Sequence, residues 1–90
     1  MMKSVHVKIL GRVQGVWYRA STKQKAESLG IKGWVRNTND GCVEAVFEGE
    51  GSLVDEMISW CRQGPPMAQV ENIDIKTQNL SNFEGFKIKY

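Results

Sequence analysis

The chain has 90 residues, of which 41% are hydrophobic, enough for one modest core. Twelve basic and ten acidic residues leave a formal net charge of +2, which argues against a dedicated nucleic-acid binder. The apolar stretch Val5–Leu10 is short and interrupted by His6 and Lys8, which excludes a signal sequence or a membrane span there. We therefore expect a single cytoplasmic domain over residues 1–90, monomeric and without membrane or nucleic-acid partners.

Cysteine usage points to a reducing compartment. The chain has only two cysteines, Cys42 and Cys61, too few for a disulfide framework and not arranged as CxxC. The single histidine, His6, has no cysteine near it in the sequence. We therefore expect free thiols and no metal site.

The first two predicted elements are a strand and a helix. Val5, Val7 and Ile9 alternate with His6, Lys8 and Leu10, which is typical of a half-buried strand. From Tyr18 onward the apolar residues recur every three or four positions, which predicts a helix. Gly30 is the expected end of this helix, because glycine readily adopts the left-handed conformation of a C-terminal cap.

A hairpin is predicted next. Strands over Ile31–Thr38 and Cys42–Glu48 flank the turn Asn39-Asp40-Gly41, whose residues tolerate the left-handed backbone that a tight turn needs.

The second half of the chain predicts a helix and two more strands. Ser52 is the expected N-cap of the helix, with Asp55 and Glu56 in its first turn. Gly64-Pro65-Pro66 ends it. A fourth strand follows over Ala68–Thr77, in which Val70 and Ile73 are out of phase, so we expect a bulge between them. Phe86–Tyr90 alternates and predicts a short final strand.

The order of elements predicts an α+β fold of the ferredoxin-like βαββαβ type: an antiparallel sheet with both helices on one face and a short fifth strand. Right-handed crossovers place the first two strands parallel, with the third between them. The ends of these two strands then meet at one edge of the sheet. The segment Gly11–Arg19 should therefore lie near Arg36-Asn37-Thr38.

The segment Gly11–Arg19, with the sequence GRVQGVWYR, is the strongest candidate for a functional site. It joins a strand to a helix and contains no acidic residue. A tight turn of this kind presents several backbone N–H groups to one point, an arrangement that binds anions. The Arg19 guanidinium adds paired donors that match phosphate oxygens. The segment therefore predicts a phosphate cradle.

Two motifs resemble the signatures of the acylphosphatase family. Gly11–Arg19 is similar to the first signature. GWVRN at Gly33–Asn37, followed by Gly41, Val43 and Gly49, is similar to the second. The ending Phe86–Tyr90 also resembles the family. One departure is Tyr18, where the family more often has phenylalanine, so the extra hydroxyl needs a hydrogen-bond partner.

The resemblance implies hydrolysis of the carboxyl-phosphate bond of small acyl phosphates, with inorganic phosphate as product and competing ligand. It implies no metal, no other cofactor and no covalent enzyme intermediate. By position it makes Arg19 the catalytic phosphate ligand and Asn37 the catalytic residue that holds the attacking water. It also assigns the phosphate-binding backbone to Gln14, Gly15, Val16, Trp17, Tyr18 and Arg19.

Other functions of the same topology are alternatives. RNA-recognition domains stack bases on aromatic side chains of the central strands, whereas the third strand here carries Glu44 and Glu48. Metal carriers of this shape need a CxxC loop after the first strand, where this chain has VQGV at Val13–Val16. A non-catalytic phosphate-binding module stays open.

Four further side chains carry weaker expectations. Trp17 is expected to be half exposed on the cradle, with substrate contact and plain packing as equal alternatives. His6 is expected on the surface and not as a general base, and Arg36 as a solvated charge. Tyr90 is expected to pack or form a hydrogen bond that holds the last strand.

Overall fold

The computed structural model describes all residues, Met1 to Tyr90. Its elements are β1 (Met2–Arg12), α1 (Tyr18–Ser28), β2 (Lys32–Asn37), β3 (Val43–Glu50), α2 (Gly51–Gln63), β4 (Gln69–Gln78) and β5 (Phe86–Ile88). The five strands form one sheet in the order β4-β1-β3-β2-β5. The predicted ferredoxin-like order of elements is confirmed.

The sheet is mixed rather than wholly antiparallel. β1 pairs antiparallel with β3 and β4, and β2 pairs antiparallel with β3, so β1 and β2 are parallel as predicted. β5, however, pairs parallel with β2, from Gly33 opposite Phe86 to Val35 opposite Ile88. The reason is that residues 79–85 carry the chain from one edge of the sheet to the other, so β5 enters in the direction of β2.

The core lies between the sheet and the two helices. The alternation in β1 turns Val5, Val7 and Ile9 toward the helices, and all three are fully buried. Phe47 and Phe86 stack with ring centroids 5.9 Å apart, which fastens β5 to the same core. No helix is long and apolar enough to cross a membrane.

Strand pairing explains why β1 is longer than the predicted Val5–Leu10. Its two ends find partners on the neighbouring strands, Met2 opposite Glu50 and Arg12 opposite Gln69. The register of β1 against β4 shifts between Leu10 and Gly11, which pair with Asn72 and Val70. The predicted bulge between Val70 and Ile73 is therefore confirmed.

The predicted start of the second helix was wrong. α2 begins at Gly51 with Glu50 as its N-cap, so Ser52 lies inside the helix and caps nothing. Asp55 and Glu56 then lie beyond the first turn. The Gly51 N–H donates to the Met1 carbonyl at 2.8 Å, and the Glu50 carboxylate accepts from the Met1 amino group. This end of the helix is thus held by Met1, the residue before β1, which no local sequence signal shows.

Candidate active site

A cleft of about 380 Å³ opens where the end of β1, the start of α1 and the ends of β2 and β5 meet. Its lining consists of Val13, Gly15, Trp17, Tyr18, Arg19, Ala20, Asn37, Ile88 and Tyr90. The predicted proximity of Arg19 and Asn37 is therefore confirmed. The topology brings them together because β1 and β2 end at the same edge of the sheet.

The segment Gln14–Arg19, called the phosphate loop after its predicted role, contributes Gly15, Trp17, Tyr18 and Arg19 to the lining of this cleft. None of its N–H groups donates to a protein acceptor. Gly15 and Trp17 have φ angles of +74° and +66°, and left-handed residues of this kind turn neighbouring N–H groups toward one point. α1 has no side-chain cap and no acidic residue in its first turn. The positive end of its dipole is thus available to an anion.

Arg19 adds an uncompensated positive charge. It lies in the first turn of α1, is half-buried and belongs to none of the six ion pairs in the protein. Its guanidinium carbon lies 5.3 Å from the centroid of the Tyr90 ring, in a cation–π contact. With no carboxylate competing for its donors, this guanidinium can take an external anion.

Tyr90 differs from its predicted packing role. The residue is fully exposed, and its ring lies against Arg19 instead of against the core. The last strand is held by other groups, among them the Lys89 N–H, which donates to the Val35 carbonyl at 2.8 Å.

Asn37 carries the one buried side-chain polar atom that has no hydrogen-bond partner in the protein. It is the last residue of β2 and is paired with Val43. Its Oδ1 is buried and accepts no hydrogen bond. An unpaired buried acceptor costs about 1–3 kcal/mol, so such atoms commonly have a ligand or a water as partner. Asn37 also lines the cleft that contains Arg19.

The Gln14 side chain performs a task that the sequence did not reveal. Its Nε2 donates to the carbonyls of Thr38 and Cys42, both at 2.8 Å. This amide therefore fastens the phosphate loop to the β2–β3 hairpin and holds it at a fixed distance from Asn37. Gln14 was predicted only as part of the backbone cradle, and no periodicity or spacing signals the additional tether.

The side chains of Val16 and Tyr18 anchor the phosphate loop to the core. Both side chains are buried, so only their backbone groups are available to the cleft. The Tyr18 hydroxyl donates to the Cys61 carbonyl at 2.6 Å, which supplies the partner that this departure from the family pattern needs. Burial raises the pKa of Tyr18 above its usual value, so the hydroxyl stays a donor at neutral pH. Burial also raises the pKa of the Cys61 thiol to about 12, so it stays protonated at neutral pH.

Trp17 lies on the rim of the cleft. It is the N-cap of α1, and its side chain makes no capping hydrogen bond. The residue is 78% exposed, more than the half-exposed position predicted from the sequence. It therefore contributes little to the core.

His6 and Arg36 lie outside the cleft. His6 Nε2 is 2.7 Å from Glu44 Oε2, and Arg36 Nε donates to Glu44 Oε1 at 2.5 Å. Arg36 is an exposed charge that does not line the cleft, as predicted, and it forms an ion pair with Glu44. Burial raises the pKa of Glu44, but the hydrogen bonds from His6 and Arg36 outweigh it, and the net shift is downward. No group of three His, Cys, Asp or Glu side chains is arranged to hold a metal ion.

Acylphosphatases are among the known proteins that this chain resembles in sequence and structure. The acylphosphatase family profile matches residues 5–88. An acylphosphatase of Rubrobacter xylanophilus is 51% identical over 88 residues, which cover 97% of this chain and 80% of that protein. One of Methylococcus capsulatus is 57% identical over 75 residues, 83% of this chain and 82% of that protein. The solved structure of an acylphosphatase from Coxiella burnetii superposes with a TM-score of 0.94 at 35% identity, covering 98% and 93% of the two chains.

The fold and the relatives together define a small α+β enzyme of the ferredoxin-like class, with a cleft at one edge of the sheet. The chain belongs to the acylphosphatase family.

Proposed function

We propose that this protein hydrolyses the carboxyl-phosphate bond of small acyl phosphates, using Arg19 and the phosphate loop to hold the phosphate and Asn37 to hold the water. Membership of the acylphosphatase family supports the reaction class. The observation that supports the assignment of residues is the unpartnered Oδ1 of Asn37, a residue that lines the same cleft as Arg19.

Phosphate binding follows from the free donors of the loop. The phosphoryl oxygens accept hydrogen bonds from the backbone N–H groups of Gln14–Arg19 and paired hydrogen bonds from the Arg19 guanidinium. Charge-assisted bonds of this kind are roughly twice as strong as neutral ones. The positive end of the α1 dipole adds to the attraction. The phosphate is thereby fixed at the edge of the sheet where β2 ends.

Asn37 is suited to holding water because its amide is neutral. The carboxamide accepts a hydrogen bond from the water through Oδ1, which leaves an oxygen lone pair free to attack phosphorus. An amide is not a strong base, so the water loses its proton to an oxygen of the substrate's own phosphate. Catalysis therefore comes from positioning.

The chemical step is an in-line displacement at phosphorus. The bond from the water oxygen to phosphorus forms as the bond from phosphorus to the bridging oxygen breaks, and its electron pair leaves with the carboxylate. The products are a carboxylate and dihydrogen phosphate, which together carry the two negative charges of the substrate. Because a carboxylate is a good leaving group, catalysis consists mainly of holding the charged phosphoryl oxygens in place. No cofactor enters the step.

We further propose that the protein is a cytoplasmic monomer whose partners are the acyl phosphate and its products. Both thiols, Cys42 and Cys61, are free and buried, which accords with a reducing compartment. Sedimentation at micromolar concentration tests the monomer directly. A dimer under these conditions would contradict that part of the proposal.

The decisive assay is phosphate release from benzoyl phosphate in the presence of EDTA. We expect turnover that is unchanged by the chelator and competitively inhibited by inorganic phosphate. Binding of inorganic phosphate without any hydrolysis would instead assign the chain as a non-catalytic phosphate-binding module. Loss of activity on chelation would contradict the metal-independent step.

A further inference from the structure

Trp17 combines a strained backbone with an exposed side chain. Its φ angle of +66° lies in the left-handed region, where a side chain crowds the neighbouring carbonyl. Glycine takes this conformation at lower cost. At 78% exposure the indole does not offset the strain by packing in the core. Phosphate binding uses only the backbone of residue 17, so the cradle itself does not require an indole.

Tyr90 supplies a second exposed ring in the same cleft. Its ring lies 5.3 Å from the Arg19 guanidinium carbon, and the residue is otherwise fully exposed. Of the cleft's other large apolar residues, Val13 and Tyr18 are buried in the core, and Ile88 is partly buried against it. The open aromatic surface of the cleft therefore belongs to Trp17 and Tyr90.

The chemistry of an acyl phosphate places its acyl group beside these rings. A single bridging oxygen separates phosphorus from the acyl carbon. Once Arg19 and the loop hold the phosphate, the acyl group lies in the cleft or at its mouth. A flat aromatic acyl group can stack on an indole or a phenol ring, whereas an acetyl group has too little surface to do so.

We propose that Trp17 and Tyr90 form an acyl-group subsite that favours substrates with an aromatic acyl group over those with a small aliphatic one. This inference rests on the proposed function, because it concerns the leaving group of the same reaction. The left-handed backbone of Trp17 fits this role, because strained backbone conformations cluster at active sites and ligand-binding positions.

The test is the ratio of kcat/KM for benzoyl phosphate to kcat/KM for acetyl phosphate. We expect Trp17→Gly to lower this ratio roughly tenfold, the factor that the loss of an aromatic contact and its buried area would produce. Trp17→Phe should keep the ratio within about threefold of the parent, because it retains a stacking ring. Tyr90→Ala should lower the ratio in the same direction.

A matched control comes from Leu80, an exposed apolar residue on the loop after β4, outside the cleft. Leu80→Ala should leave both kcat/KM values unchanged. Trp17→Asn is a second variant, since asparagine also tolerates the left-handed region and keeps a side chain at this position.

The outcomes separate the subsite from the reaction. If the parent hydrolyses both substrates and the ratio is the same in Trp17→Gly, Trp17→Asn and Tyr90→Ala, the subsite is wrong while the proposed function stands. Equal losses on both substrates leave the ratio unchanged and count against the subsite in the same way. If the parent hydrolyses neither substrate, the proposed function itself has failed, and the subsite falls with it.

Discussion

Two loops of this protein contain left-handed residues and backbone N–H groups outside regular pairing, and they differ in whether the protein supplies an acceptor for those groups. In the crossover loop, residues 79–85, the N–H groups of Ser81 and Asn82 donate to the Glu48 carboxylate, both at 2.8 Å. Asn82 is left-handed there, with φ +58°. The phosphate loop has left-handed residues too, but its N–H groups have no acceptor in the protein.

The difference separates a loop whose donors are satisfied within the protein from one whose donors are unused. Glu48 is only 3% exposed. Burial by itself raises its pKa, but the hydrogen bonds that its carboxylate accepts from backbone N–H groups act in the other direction, and the net shift is downward. The crossover loop is therefore complete without a ligand. The phosphate loop has the same kind of donors, the uncompensated charge of Arg19 and no internal carboxylate. These features favour an external anion as its partner, in line with the proposed function.

Removing the charge of the phosphate loop should have the largest effect. We expect Arg19→Ala to lower kcat/KM for benzoyl phosphate by at least roughly 10²-fold, since one lost preorganised donor commonly costs 10²–10³ in rate. Steady-state phosphate release measures it. Arg36→Ala is the matched control, because that guanidinium is paired with Glu44 outside the cleft and should leave turnover unchanged. Near-parental activity in Arg19→Ala would remove Arg19 from the site.

Removing the unpartnered acceptor, Asn37 Oδ1, should have the second-largest effect on turnover. We expect Asn37→Ala to lower kcat roughly 10²-fold, the order of loss that follows from misplacing one reacting group. Its unfolding free energy should not fall, because the variant deletes a buried acceptor that has no protein partner. Denaturant titration and kcat are both needed.

Asn37→Asp sharpens the same point. A carboxylate beside the bound phosphate repels it, so we expect turnover below that of the parent. A faster Asn37→Asp enzyme would show that base catalysis, rather than positioning of water, limits the reaction.

Distorting the loop without adding contacts should have a smaller effect. Gly15 has φ +74°, and a Cβ there meets nothing within 4 Å, so Gly15→Ala strains only the backbone. We expect about 1–2 kcal/mol of destabilisation and a roughly tenfold weaker affinity for inorganic phosphate. Gly30→Ala is closely matched, with φ +70° and equally open surroundings. It should show the same destabilisation with unchanged affinity, and equal losses of affinity would make Gly15 a turn residue only.

Breaking the crossover loop should affect stability and leave turnover alone. We expect Glu48→Gln to lower the unfolding free energy by about 2 kcal/mol at pH 7, because a buried, charge-assisted pair of hydrogen bonds is weakened. The folded pKa of Glu48 is depressed, so its contribution is present above the unfolded value and lost as the pH falls through the folded one. The gap between parent and variant should therefore shrink in acid. A gap that is the same at pH 7 and pH 3 would contradict this assignment.

The sequence was sufficient for the parts of the site that depend on pattern and topology. Alternating residues marked β1, a change of period marked α1, and the right-handed crossover placed Asn37 beside Arg19. Contacts between distant segments were not predictable. Gln14 reaches carbonyls 24 and 28 residues away, and the Tyr90 ring reaches Arg19 from the far end of the chain. The start of α2 and the direction of β5 also depend on tertiary partners, Met1 and the free edge of β2.

The most direct test of the difference between the two loops is a titration of the 15N-labelled protein with inorganic phosphate, followed by the backbone amide resonances. We expect saturable shifts concentrated at the amides of Gly15–Arg19, with those of Ser81 and Asn82 unmoved because they already donate to Glu48. Shifts that spare Gly15–Arg19, or that are as large at the crossover loop, would contradict the assignment of Gln14–Arg19 as the phosphate loop.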